Sequence, residues 1–97
     1  MKIFKDQELK QPIEVFDFGI VEAGSVEEFK YYLVNDSYAE LKNLTFFIDH
    51  PEIKVIEAPI DMPAKAIAEL IIRWTPSITL KQGLQTRLRV SGMELWG

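Results

Sequence analysis

Hydrophobic and polar residues alternate with a period of two along most of this chain, the pattern of strands with one face in a core. Over residues 26–35, Phe29, Tyr31 and Leu33 share one parity and Glu28, Lys30, Tyr32 and Val34 the other. The first set is expected inside and the second outside. Residues 13–18 turn Phe16 and Phe18 inward, and residues 41–49 set Leu44, Phe46 and Ile48 against Thr45, Phe47 and Asp49. Residues 53–56 form a short β-branched run with Ile53 and Val55 inside. Residues 64–70 are alanine-rich and pass for a helical turn on propensity alone, but the following Ile71-Ile72-Arg73-Trp74-Thr75 is β-type and Pro63 and Pro76 bracket the run. A strand is predicted there, with Ala68, Leu70, Ile72 and Trp74 inward and Ile67, Glu69, Ile71 and Arg73 outward. Residues 84–91 turn Leu84, Thr86, Leu88 and Val90 inward, Gly92 breaks the ladder, and residues 93–96 resume it.

Between the first two of these strands, Gly19 and Gly24 fall where a chain crossing between two sheets needs unrestricted backbone angles. Several short strands punctuated by Gly and Pro, with no helix of normal length, predict an all-β fold: an immunoglobulin-like β-sandwich of two antiparallel sheets with about seven strands. Its expected core is Phe16, Phe18, Phe29, Tyr31, Leu33, Leu44, Phe46, Leu70, Ile72, Trp74, Leu88 and Val90. Pro12 interrupts any ladder near the start, so residues 1–12 are expected as an N-terminal arm or edge strand before a domain spanning 13–97.

Composition narrows the function classes. With 97 residues, 47% of them hydrophobic, the chain suits one core and is too short for two domains. It has no cysteine, so neither disulfides nor thiolate ligands contribute and packing has to hold the fold. A net charge of -4 argues against a nucleic-acid partner, whose phosphates need clustered Lys and Arg. No apolar run approaches the roughly 18 residues of a spanning helix. Charges in residues 1–10 occupy the place of an export signal's apolar stretch. No membrane partner is expected, and the location expected is virion or cytoplasmic.

Candidate chemistry is sparse. His50, the one histidine, stands between Asp49 and Glu52 and is read as a solvated loop residue, because a metal or general-base role needs convergent ligands. Asp36, Asp49, Asp61 and Glu52 lack the spacing of a calcium loop, and there is no Gly-rich phosphate loop or nucleophile elbow. The expectation is no enzyme, no metal and no cofactor. Asn35-Asp36-Ser37 and Asn43-Leu44-Thr45 match the glycosylation pattern but are read as polar strand ends, the first as turn chemistry. Trp74 has inward parity and belongs to the core, whereas Trp96 is read as a strand anchor or, in the alternative, a platform for a sugar ring.

Three stretches together resemble the hydin-type and major-sperm-protein-like immunoglobulin domains: Phe18-Gly19-Ile20-Val21-Glu22-Ala23-Gly24-Ser25, Leu33-Val34-Asn35-Asp36-Ser37 and Leu88-Arg89-Val90-Ser91-Gly92. Pro63-Ala64-Lys65, followed by Leu70-Ile71-Ile72-Arg73-Trp74-Thr75-Pro76, is similar to that family's proline-led turn and its strand closing on Thr-Pro, although the family usually carries Pro-Gly where this chain has Pro63-Ala64. The resemblance covers residues 13–95. It implies a non-enzymatic structural module that binds proteins within a larger assembly. Likeness to small stand-alone virion proteins makes a virion component, as capsid decoration or tail module, the leading expectation. A carbohydrate-binding module or a cytoskeletal or periplasmic adaptor is the alternative.

The expected docking face follows from strand pairing. If residues 26–35 and 66–75 are antiparallel neighbours, Glu28 falls near Arg73, and Tyr32 and Val34 lie towards Ile71 and Ile67. Tyr32, Val34, Ile67 and Ile71 then form an apolar patch on a solvent-facing surface, for a protein partner or a further copy of the chain.

Overall fold

The computed structural model describes residues 1–19, 21–48, 50–77 and 85–96. Over these the protein is all-β, with strands β1 (Lys2–Phe4), β2 (Pro12–Ile13), β3 (Phe16–Asp17), β4 (Glu27–Val34), β5 (Glu40–Ile48), β6 (Ile53–Glu57), β7 (Ile67–Trp74), β8 (Gln85–Thr86) and β9 (Leu88–Leu95). One sheet has the order β2-β1-β4-β7-β6, antiparallel throughout. The other layer consists of two antiparallel ladders, β5 with β9 and β3 with β8, joined end to end because only Arg87 separates β8 from β9.

The chain crosses between layers twice near its start. Ile13 pairs with Ile3 in the larger sheet, while Phe16 pairs with Thr86 in the other, so Glu14 and Val15 make the first crossing. The return to β4 passes Gly19 and Gly24, at φ 67° and 81°, where a side chain would strain the backbone. Gly24 N–H donates to the Pro76 carbonyl at 2.9 Å and ties this turn to the end of β7. The N-terminal segment is built into the sheet: β1 lies between β2 and β4 and not at an edge, and Pro12 sits in the edge strand, where its missing N–H interrupts no ladder.

Between the layers, Phe16, Phe18, Tyr31, Leu33, Leu44, Leu70, Ile72 and Trp74 are buried, and Phe29, Phe46 and Leu88 are half-buried against them. Phe18 packs its ring against Phe29 at 4.7 Å and Trp74 at 6.0 Å, and Phe16 meets Tyr31 at 4.6 Å. Met62, outside the expected core, is buried through a bridge in which it exchanges two 2.8 Å backbone hydrogen bonds with Leu41.

Val90 and Gly92 depart from the expectation. Val90 faces the core side yet is 36% exposed, because parity assigns a face without supplying the layer that covers it. Gly92 does not break its strand: β9 runs through it, since β5 bulges between Lys42 and Thr45 and the backbone closes on Gly92. A Cβ on Gly92 would lie 2.8 Å from Leu44 Cδ2 and 3.0 Å from the Lys42 carbonyl oxygen. Leu84, also expected inward, lies outside the described residues.

Candidate interaction surfaces

β4 and β7 pair over their whole length, and the register decides what each outward residue meets. Glu28 is opposite Arg73, Lys30 opposite Ile71, Tyr32 opposite Glu69 and Val34 opposite Ile67. β1 extends these rows, placing Phe4 beside Tyr32 and Lys2 beside Val34. The expected Glu28–Arg73 neighbours form an ion pair, with Arg73 Nη2 donating to Glu28 Oε2 at 2.6 Å and Nε to the same oxygen at 2.9 Å. Lys30 and Glu69 approach to 3.7 Å on the diagonal opposite to that of Tyr32 and Ile71.

Tyr32, Val34, Ile67 and Ile71 therefore occupy one outward face, Ile67 56% exposed and the other three half-buried. Phe4 adds a fifth apolar side chain, which the alternation could not place because it sits two strands from Ile67 only once β1 joins the sheet. Charges on this face are largely matched within it, so its centre is apolar and its rim close to neutral. The layer of β5 and β9 exposes a second, looser set in Phe47, Met93, Leu95 and the following Trp96, the last 67% exposed.

The end of the sandwich beyond Trp74 holds His50 and Glu52, while Asp49 lies outside the described residues. His50 is not a solvated loop residue. It is half-buried, edge-on to Trp74 with ring centroids 6.3 Å apart, and its Nδ1 accepts the Glu52 N–H at 3.2 Å. The Glu52 carboxyl is held below its ordinary range, first by the Ser77 hydroxyl and also by the Ser77 amide, which donates to Oε2 at 2.8 Å. Trp74 Nε1 is buried, and the Trp74 side chain adds to the lowering of the Glu52 carboxyl. These contacts tie the loop before β6 to the end of β7. Among the described residues no three His, Cys, Asp or Glu side chains gather to hold a metal ion. Asp61 pairs with Lys42 at 3.4 Å, and Asp36 with Lys2 at 3.8 Å. Lys42, paired also with Glu40 at 2.8 Å, has its pKa raised by the Glu40 and Asp61 carboxylates.

Asn35 departs most from a plain strand end. It is buried, and its Nδ2 donates to the carbonyls of Ala39 at 2.8 Å, Pro63 at 3.0 Å and Met62 at 3.3 Å, while Oδ1 accepts from the Ser37 hydroxyl at 2.9 Å. In the folded domain this amide is a structural cross-link and is inaccessible as a glycan acceptor. No helix of the described residues is long and apolar enough to cross a membrane.

Comparison with known proteins adds no relative to this geometry. No family model matches the chain. No curated protein and no solved structure matches it either.

Proposed function

We propose that this chain is a non-catalytic, immunoglobulin-like interaction module that works as a structural accessory of a larger assembly. The observation that carries the reading is the outward face of the five-stranded sheet, where Phe4, Tyr32, Val34, Ile67 and Ile71 group together and Lys30–Glu69 and Glu28–Arg73 neutralise the charges among them. An aromatic and aliphatic centre with a polar rim has the composition of a protein interface. The partner is another protein of the assembly, presenting an apolar surface without a strong field of either sign. The strand order supports the immunoglobulin-like part of the reading: β1-β4-β7-β6 opposite β5-β9 follows the A-B-E-D and C-F order of constant-type sandwiches. Within this proposal the assembly is a virion, in which the domain serves as capsid decoration or tail module, on the resemblance to small stand-alone virion proteins.

The experiment is incorporation of Tyr32→Ala and Ile71→Asp variants into particles purified from the native source, with melting measured in parallel. Loss of incorporation with unchanged melting is the expected result. Normal incorporation of both variants, or loss of stability in both, overturns the assignment of this face.

A further inference from the structure

Constant-type sandwiches carry a third strand beside the C and F positions, and among the described residues the smaller layer shows none there. β9 pairs with β5 along one edge. Its other edge has no neighbour among the described residues. The adjoining β8 pairs with β3, and beyond β3 Glu14 and Val15 connect to β2 in the opposite sheet. A groove of about 460 Å³ results between β9 and β1, lined by Met1, Ile3, Leu41, Leu88, Val90 and Glu94 among others.

Three features of this groove point the same way. Val90 is directed into it and remains 36% exposed, so an apolar residue placed for a core lacks its cover. A strand edge leaves every second N–H and C=O of β9 without a ladder partner, the arrangement to which an extended chain adds. Glu94 closes the row that begins with Leu88 and Val90, opposite Leu41 of β5, and among the described residues it carries no ion pair.

We infer that the edge of β9 away from β5 accepts an extended segment of a partner protein. The segment adds as a strand, sets aliphatic side chains at alternate positions over Ile3, Leu88 and Val90, and brings a lysine or arginine beside Glu94. Main-chain hydrogen bonds to β9 supply affinity, the groove selects small aliphatic side chains, and the Glu94 carboxylate selects a basic one. This rests on the immunoglobulin-like reading above but uses a different surface, so the test below leaves Tyr32 and Ile71 untouched and the two proposals fail independently.

The probe is a synthetic eight-residue peptide of alternating valine and threonine with lysine at both ends, followed by calorimetry and by amide hydrogen exchange of the protein. The expected result is binding that slows exchange in β9. N-methylation of alternate peptide amides abolishes it. Glu94→Lys, at an exposed position, weakens binding of the lysine peptide about tenfold, and a peptide with glutamate at both ends restores it. Binding indifferent to N-methylation and to Glu94→Lys, or no slowing in β9 at millimolar peptide, overturns the proposal. So does slow exchange in β9 of the free protein. In a monomer that outcome means the chain covers its own edge, and in a concentration-dependent dimer it means a second copy does.

Discussion

β9 of the smaller layer obeys the same alternation as β4 and β7 of the larger sheet and ends in the opposite state. In the larger sheet, β4 and β7 each have a neighbour on both sides, and their inward residues Leu33, Leu70 and Ile72 are sealed from solvent. In the smaller layer, β9 has one neighbour among the described residues, and every residue from Arg89 to Leu95 is exposed, on either parity. The difference teaches that periodicity selects a face, whereas burial needs a strand beside and a layer opposite. Val90 has the first without the second.

Truncation of buried Trp74 in the larger sheet and of exposed Val90 in the smaller layer tests this difference most strongly. Trp74→Ala removes an indole that is 1% exposed and packed on Phe18 and His50, and is expected to cost about 3–5 kcal/mol. Val90→Ala removes methyl groups already partly in water and is expected to cost less than about 1 kcal/mol. Urea denaturation of both variants measures the contrast, and equal losses would mean that the groove beside β9 is closed in solution.

A second contrast lies between the β4–β5 turn and the rest of the polar surface. Asn35 holds three backbone carbonyls from two separate segments, so Asn35→Ala removes three hydrogen bonds at a buried position and is expected to cost about 2–3 kcal/mol. Asn35→Asp is expected to do at least as much harm, because a carboxylate cannot donate to those carbonyls. Neighbouring Asp36→Ala, exposed and paired only at 3.8 Å, is expected to shift the midpoint by less than about 0.5 kcal/mol. If Asn35→Ala behaved like Asp36→Ala, the cross-link would carry no stability.

What the sequence discloses of all this follows from how local each signal is. The alternation of residues 26–35 and 66–75 contains both the strands and, through antiparallel pairing, the Glu28–Arg73 contact, because one register aligns the outward rows. The patch residues Tyr32, Val34, Ile67 and Ile71 share a face for the same reason. Asn35 looks like turn chemistry because its nearest partners, Ser37 and Ala39, are local, while the carbonyls of Met62 and Pro63 that make it a cross-link arrive from 27 and 28 residues away. His50 reads as solvated because its neighbour Trp74 is brought by tertiary folding alone. The continuity of β9 is hidden because the irregularity that accommodates Gly92 belongs to another strand.

That last point yields the finest test of the comparison, since glycines of the two layers are needed for different reasons. Gly19, on the return to β4, has φ 67° and open space where a Cβ would be, so its requirement is conformational. Gly92 has no positive φ but meets Leu44 Cδ2 and the Lys42 carbonyl at the bulge, so its requirement is space. Alanine at either position is expected to cost about 1–2 kcal/mol, through left-handed strain at Gly19 and overpacking at Gly92. Asparagine separates the causes. It tolerates left-handed backbone, so Gly19→Asn should recover part of the loss, whereas at Gly92 the larger side chain should deepen it and speed amide exchange along β9. Thermal melting of the four variants reads the pattern directly. If asparagine rescues at both positions or at neither, the two layers do not differ in what they ask of glycine, and the tight closure of β5 on β9 is not what holds the thinner one.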